Sequence, residues 1–143
     1  MLDECRKKLD RLGLVERCVL LQGDFFEYEF GSARHDCALV GFFLSHLTES
    51  QEPLLFRALK TLLGSSGRFL ILDSAWSQER ARFNEKVERQ ERRLNDGTRF
   101  EIYKRYCARE DVLGWARTYD ATVRIEHFGT AFVAVSGHFN AAQ

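Results

Sequence analysis

The residues best able to do chemistry cluster in one short window, Phe42-Phe43-Leu44-Ser45-His46. A histidine gains and loses its proton near neutral pH, so His46 is a candidate general base or substrate anchor. It follows the apolar run Cys37–Leu44, at the carboxyl side of what reads as a buried strand, which is where open α/β sheets hold their ligands. A histidine in front of a helix also often bonds only to backbone, and both roles stay open. Ser45 and His46 do not make a hydrolase pair, because adjacent side chains rarely meet and no G-x-S-x-G turn is present. Asp73 and Ser74 end another apolar run, Arg68–Asp73, and so fall at the carboxyl end of a second strand candidate. Cys5, Cys18, Cys37 and Cys107 are widely spaced with no C-x-x-C pair, which leaves zinc and dithiol chemistry without support. No metal is expected, and free thiols fit a reducing, cytoplasmic setting.

These residues need elements to hold them, and the hydrophobic period switches several times along the chain. Leu2, Cys5, Leu9 and Leu12 recur at helical spacing, with Gly13 as a stop, so a helix runs from Met1 to Leu12. Val19–Phe26 and Cys37–Leu44 are apolar runs without clean alternation, as expected of strands covered on both faces. Thr48 with Gln51 forms a capping box ahead of Pro53, which places a helix start at Thr48 to Ser50. That helix buries Leu55, Leu59, Leu62 and Leu63, and Gly64-Ser65-Ser66-Gly67 breaks the chain before the Arg68 strand. Ser77–Leu94, rich in Arg and Glu, reads as a solvated helix with a thin apolar stripe. Asn95-Asp96-Gly97 is a turn, and Thr98–Tyr106 is an extended segment or lid in which Phe100, Ile102 and Lys104 oppose Tyr103 and Arg105. Arg109–Tyr119 is helical, and Ala121–Phe128 with Thr130–Phe139 makes an antiparallel hairpin across Gly129.

Composition excludes several classes of partner. With 21 Lys and Arg against 21 Asp and Glu, the formal charge is zero, which predicts neither nucleic acid nor an anionic membrane as partner. The interleaved glutamates of Ser77–Leu94 cancel the field of its arginines. The longest apolar run, Cys37–Leu44, is too short to span a bilayer, and Asp3, Glu4, Arg6, Lys7 and Lys8 leave no room for a signal peptide core.

Three stretches carry a resemblance when taken in order: Gln22–Phe26 (QGDFF), His35–Leu47 (HDCALVGFFLSHL) and Leu59–Asp73 (LKTLLGSSGRFLILD). Together with the terminal hairpin, they resemble the class I S-adenosylmethionine-dependent methyltransferases, a Rossmann-like superfamily. The third is similar to that family's run of leucine-rich helix, Gly-Gly, strand and Asp, with Ser66-Gly67 in the Gly-Gly position. The likeness reaches from Met1 to about His138 and implies an α/β fold. The expected architecture is the C-terminal two-thirds of a Rossmann-like methyltransferase sheet, its last strand inserted by an antiparallel β-hairpin.

The resemblance also implies S-adenosylmethionine as cofactor and assigns residues to it. Asp24 matches the acid that accepts a hydrogen bond from the adenine amino group, and Phe25 the neighbour that packs on the adenine ring. Gly41, Phe42 and Phe43 match the segment bordering the methionine part and the transferred methyl, where aromatic edges and carbonyls suit a sulfonium. His46 is the histidine of that region and the candidate catalytic residue, and Asp73, Trp76, Tyr103 and Tyr106 are candidates to wall the pocket of a small-molecule acceptor. The implied reaction is displacement at the sulfonium methyl by the acceptor, so the protein's task is alignment, exclusion of water and removal of a proton.

The family's glycine-rich turn, and the acid at the end of its second strand, have no counterpart, and no G-x-G occurs in the chain. The expectation is therefore one domain over 1–143, an N-terminally truncated methyltransferase domain. The absent strands belong between the Val19 and Cys37 runs, which makes Cys37–Leu44 an exposed sheet edge open to a homo-oligomer. A rival expectation is a non-catalytic binding or dimerisation module that keeps the fold's second half.

Overall fold

The structure is a computed structural model that describes residues 2–31 and 34–141. Its contacts divide the chain into two compact units, Met1–Phe30 and Gly31–Gln143.

The first unit opens with α1 (Leu2–Arg11), which carries Asp3 and Glu4 in its first turn and Lys8 and Arg11 in its last, each sign matching the helix dipole. Gly13 ends it at φ +66°, a left-handed geometry that a residue without Cβ adopts at little cost. Met1, where the expected helix began, lies outside the described residues. The strand expected over Val19–Phe26 does not form. Val19 is 83% exposed and Leu21 53%, and no described strand pairs with this segment. Apolar residues alone do not make a strand, because its amides and carbonyls need a ladder partner.

The second unit is built on a four-stranded sheet of order β1-β2-β6-β5, from β1 (Cys37–Gly41), β2 (Arg68–Ser74), β5 (Ala121–Phe128) and β6 (Phe132–Phe139). β1 runs parallel to β2, and β6 runs antiparallel to both β2 and β5, so the last strand is inserted as expected. α2 (Glu52–Leu63) has Pro53 in its first turn, where a missing amide costs nothing, and buries Leu55, Phe56, Leu59, Leu62 and Leu63. α3 (Arg109–Thr118) buries Val112 and Trp115. Phe56 joins the layers, its ring 6.2 Å from that of Phe69 on β2 and 5.3 Å from that of Trp115. Each large apolar side chain buried here stabilises the fold by about 1.5–3 kcal/mol. Gly137 of β6 is a close approach: a Cβ there would meet the Phe69 ring and stand 2.6 Å from the Thr122 carbonyl oxygen.

Ser77–Leu94 is not a helix. After a short 3-10 turn at Arg80–Arg82 it becomes β3 (Val87–Arg93), which pairs antiparallel with β4 (Arg99–Arg105) across the Asn95-Asp96-Gly97 turn. Its charges serve a two-stranded ribbon, with Arg89 on Glu101 at 2.8 Å and Arg99 on Glu91 at 3.3 Å. Alternating charge reads alike on a solvated helix and on an exposed ribbon, and the turn between two matched runs decides it. The Cys37–Leu44 run is also shorter as a strand than expected, because the chain leaves the sheet at Phe42 and enters a 3-10 turn at Leu44–His46.

Candidate active site at the carboxyl edge of the sheet

The carboxyl ends of β1 and β2 and the start of β6 share one edge of the sheet, since Gly41 pairs with Leu72 and Ser74 with Phe132. Phe42 turns the chain out of β1 with its amide donating to the Leu72 carbonyl at 2.8 Å. It does so at φ +53°, a strained geometry for a residue with a bulky side chain, costing about 1–3 kcal/mol and met most often at functional sites. The Phe42 ring is 47% exposed and meets the Phe132 ring edge-on at 5.7 Å, so two aromatic faces stand at this edge. Gly41 has open space where a Cβ would be.

Beneath this rim lies a buried polar cluster. Asp73, at the carboxyl end of β2, is fully buried, with one carboxylate oxygen accepting the Ser45 amide at 3.0 Å and the other the Ser74 amide at 2.7 Å. Lys104 of β4 is 7% exposed and donates from Nζ to Ser45 Oγ at 2.6 Å. Burial lowers the Lys104 pKa, and the nearby Asp73 charge opposes that shift. The next residue on either side of Lys104 also anchors the ribbon. The Tyr103 carbonyl oxygen lies 3.0 Å from His46 Nδ1, and Arg105 forms a largely buried ion pair with Glu52, which also accepts the Tyr119 hydroxyl at 2.7 Å. A carbonyl only accepts, so His46 Nδ1 carries the proton and Nε2 of the neutral ring keeps its lone pair.

β2 extends beyond Ser74 through a bridge between Ala75 and Cys107, and the Trp76 amide donates to the Cys107 carbonyl at 2.8 Å. Trp76 and Tyr106 rings lie 6.0 Å apart, and the Arg80 guanidinium sits 4.4 Å from the Tyr106 ring centre. Burial, with the Asp73 charge adding to it, pushes the Cys107 thiol up to about 12. On the far side of Trp76 a groove of about 370 Å³ opens toward Phe128 and Arg109.

Within the second unit, the structure therefore brings Gly41, Phe42, Phe43, His46, Asp73, Trp76, Tyr103 and Tyr106 to one region. Tyr103 contributes a backbone carbonyl, and Asp73 and Tyr106 are buried supports with no open face. Asp24 and Phe25 lie in the first unit, where with Leu21, Gly23, Tyr28 and Phe30 they line a recess of about 160 Å³. Asp24 Oδ1 accepts the Phe26 amide at 2.8 Å, closing a local turn. The sequence reading missed Ser45, Lys104 and the Glu52–Arg105 pair. The available signal was the inward parity of Lys104 in the alternation Phe100, Ile102, Lys104, Tyr106, which buries a lysine wherever the ribbon docks. Among the described residues, no group of three His, Cys, Asp or Glu side chains is placed to hold a metal ion.

No family model and no curated protein matches the chain. Solved structures do. A DhpI–SAM–HEP complex matches with a TM-score of 0.74 and 16% identity, over 92% of this chain and 62% of the other. The glycopeptide N-methyltransferase MtfA matches at 0.66 and 18% identity, over 96% of this chain and 73% of that one. The CcbJ methyltransferase of Streptomyces caelestis matches at 0.68 and 15% identity, over 99% and 75%. The chain thus spans less than two-thirds of the DhpI chain, whose SAH complex it covers to 60%. Parallel β1 and β2, the inserted antiparallel β6 and these likenesses together give the chain the fold of the class I S-adenosylmethionine-dependent methyltransferases over that part of its length.

Proposed function

We propose that this chain binds S-adenosylmethionine and takes part in methyl transfer to a small-molecule acceptor, as one cytoplasmic methyltransferase domain. The observation that carries the proposal is the likeness, over 96% of the chain, to the glycopeptide N-methyltransferase MtfA in complex with S-adenosylmethionine, S-adenosylhomocysteine or sinefungin. The donor chemistry fits. In the first unit, Asp24 offers a carboxylate and Phe25, Tyr28 and Phe30 offer aromatic faces, which suit an amino-purine. The second unit, taken by itself, sets Gly41, the strained Phe42 and Phe43 at the strand end where α/β sheets hold ligands.

When bound, the cofactor supplies an electrophilic methyl, and the chain's residues do the rest. The Phe42 and Phe132 rings keep water from the rim, and His46 Nε2 takes the proton that the acceptor loses. The Tyr103 carbonyl holds that imidazole in its tautomer, and the bonds of Lys104 to Ser45 and of Arg105 to Glu52 fix β4 beside it. Trp76 borders the acceptor. Among the described residues, no helix is long and apolar enough to cross a membrane.

Methyl-labelled cofactor incubated with a panel of small hydroxy, amino and carboxylic compounds tests the proposal. Label should enter an acceptor, and His46→Ala should slow transfer by about 100-fold, the usual contribution of a positioned base. Equal transfer by the variant would remove His46 from the chemistry.

A second reading has its own support. β1 is the edge strand of the sheet, with Leu39 70% exposed, and a second copy added there would cover it. A non-catalytic dimerisation module would sediment as a dimer that Leu39→Lys dissociates, and would transfer no label.

A further inference from the structure

We infer that the groove beside Trp76 is a binding site for a ring-bearing carboxylate. This deepens the methyl-transfer reading by naming the chemical class of the acceptor, and rests on that reading only for the word acceptor. Two aromatic residues, Trp76 and Phe128, line the groove, with Ala81 and Ala108 beside them as small residues that leave room for a flat body. Such walls favour a planar apolar group, because aromatic pairs gain from offset or edge-on contact beyond their burial.

The charge at the groove is Arg109. Its guanidinium lies 5.2 Å from the Phe128 ring centre. A guanidinium set against a ring still has its in-plane N–H donors, which match the two oxygens of a carboxylate. Arg89, Arg99, Arg105 and Arg124 each have a carboxylate partner, whereas Arg109 has none within 4.0 Å among the described residues. Glu110 also lines the groove and balances the formal charge of Arg109, so recognition rests on the directed N–H donors of Arg109 rather than on net charge. Repulsion from Glu110 grows with the charge of the ligand, which makes a single carboxylate on an aromatic body a better match than a doubly charged phosphate.

The probe is 1-naphthoate, titrated into the labelled full chain and followed by amide and indole proton–nitrogen NMR. The Trp76 indole signal is assigned by its loss in Trp76→Phe. The expected result is a saturable shift of that signal and of the Arg109 and Glu110 amides. Affinity should drop by about tenfold both in Arg109→Gln and when 1-naphthamide replaces the acid, as for loss of one charge-assisted hydrogen bond. Arg109 is exposed at the first turn of α3, so the variant keeps the fold. Absence of a Trp76 shift in the millimolar range, or equal affinity for acid and amide, or equal affinity of Arg109→Gln, would overturn the inference. The same samples titrated with S-adenosylhomocysteine separate the two claims. Cofactor binding without naphthoate binding removes the groove assignment alone, and naphthoate binding without cofactor binding removes the methyl-transfer reading alone.

Discussion

Lys104 Nζ donates to Ser45 Oγ at 2.6 Å, and through Ser45, whose amide is held by Asp73, a lysine on the β3–β4 ribbon is tied to the carboxyl end of the central sheet. The three groups are all buried, in a part of the fold where a lone charge is expensive.

Removing both charges should therefore cost less than the sum of removing each alone. Lys104→Met leaves the buried Asp73 carboxylate without its compensating charge, and should destabilise the second unit by about 3 kcal/mol. Asp73→Asn in the Lys104→Met background should then cost less than in the wild type. Urea unfolding of the four proteins in this cycle measures the coupling, and strict additivity would mean that Lys104 and Asp73 do not sense each other.

Cys107 offers a chemical test of the same region. It is buried with its thiol raised to about 12, whereas Cys5, Cys18 and Cys37 are exposed. Only the thiolate reacts, so iodoacetamide at pH 8 should modify Cys5, Cys18 and Cys37 in the native chain and reach Cys107 only on unfolding. Mass mapping of the labelled peptides reads this directly.

The same thiol fixes a pH dependence. An acid raised from 9.0 when unfolded to about 12 when folded stabilises fully below pH 9.0, and that contribution is lost as pH climbs toward about 12. The slope approaches about 1.4 kcal/mol per pH unit. Lys104 acts in the opposite sense, since its lowered pKa makes the folded state release its proton first, so stability rises with pH below 10.5. Comparing melting temperatures of the wild type and Cys107→Ala across this range isolates the thiol, and the variant should show the shallower alkaline decline.

How much of this was legible in the sequence depends on what each residue's role required. α2 was readable because Leu55, Leu59, Leu62 and Leu63 carry their own period, and β2 because Gly64 to Gly67 and Asp73 bracket an apolar run. The terminal hairpin was readable for the same local reason. Val19–Phe26 was misread because being a strand is a property of a pair, and the pairing is not written in the segment. The Ser77–Leu94 helix was misread because charge alternation has no fixed period until the Asn95-Asp96-Gly97 turn sets β3 against β4. The position of His46 was visible, but its partner, the Tyr103 carbonyl, is 57 residues away and is a backbone atom, which no side-chain pattern announces.

Gly137 is a small test of the sheet's register. Because Phe69 and the Thr122 carbonyl occupy the space a Cβ would need, Gly137→Ala should destabilise by about 1–3 kcal/mol through overpacking. Gly114→Ala, in the middle of α3 with open space around it, should instead stabilise by about 0.5–1 kcal/mol. Thermal unfolding of the two variants distinguishes them by sign.

The most direct measurement is a calorimetric titration of the full chain with S-adenosylhomocysteine, beside Asp24→Asn, which keeps an oxygen for the Phe26 amide but replaces the carboxylate. The methyltransferase account predicts saturable binding that weakens by about tenfold in the variant, the scale of one charged hydrogen bond. A flat titration, in a sample whose Cys107 is protected from alkylation and which is therefore folded, would contradict it.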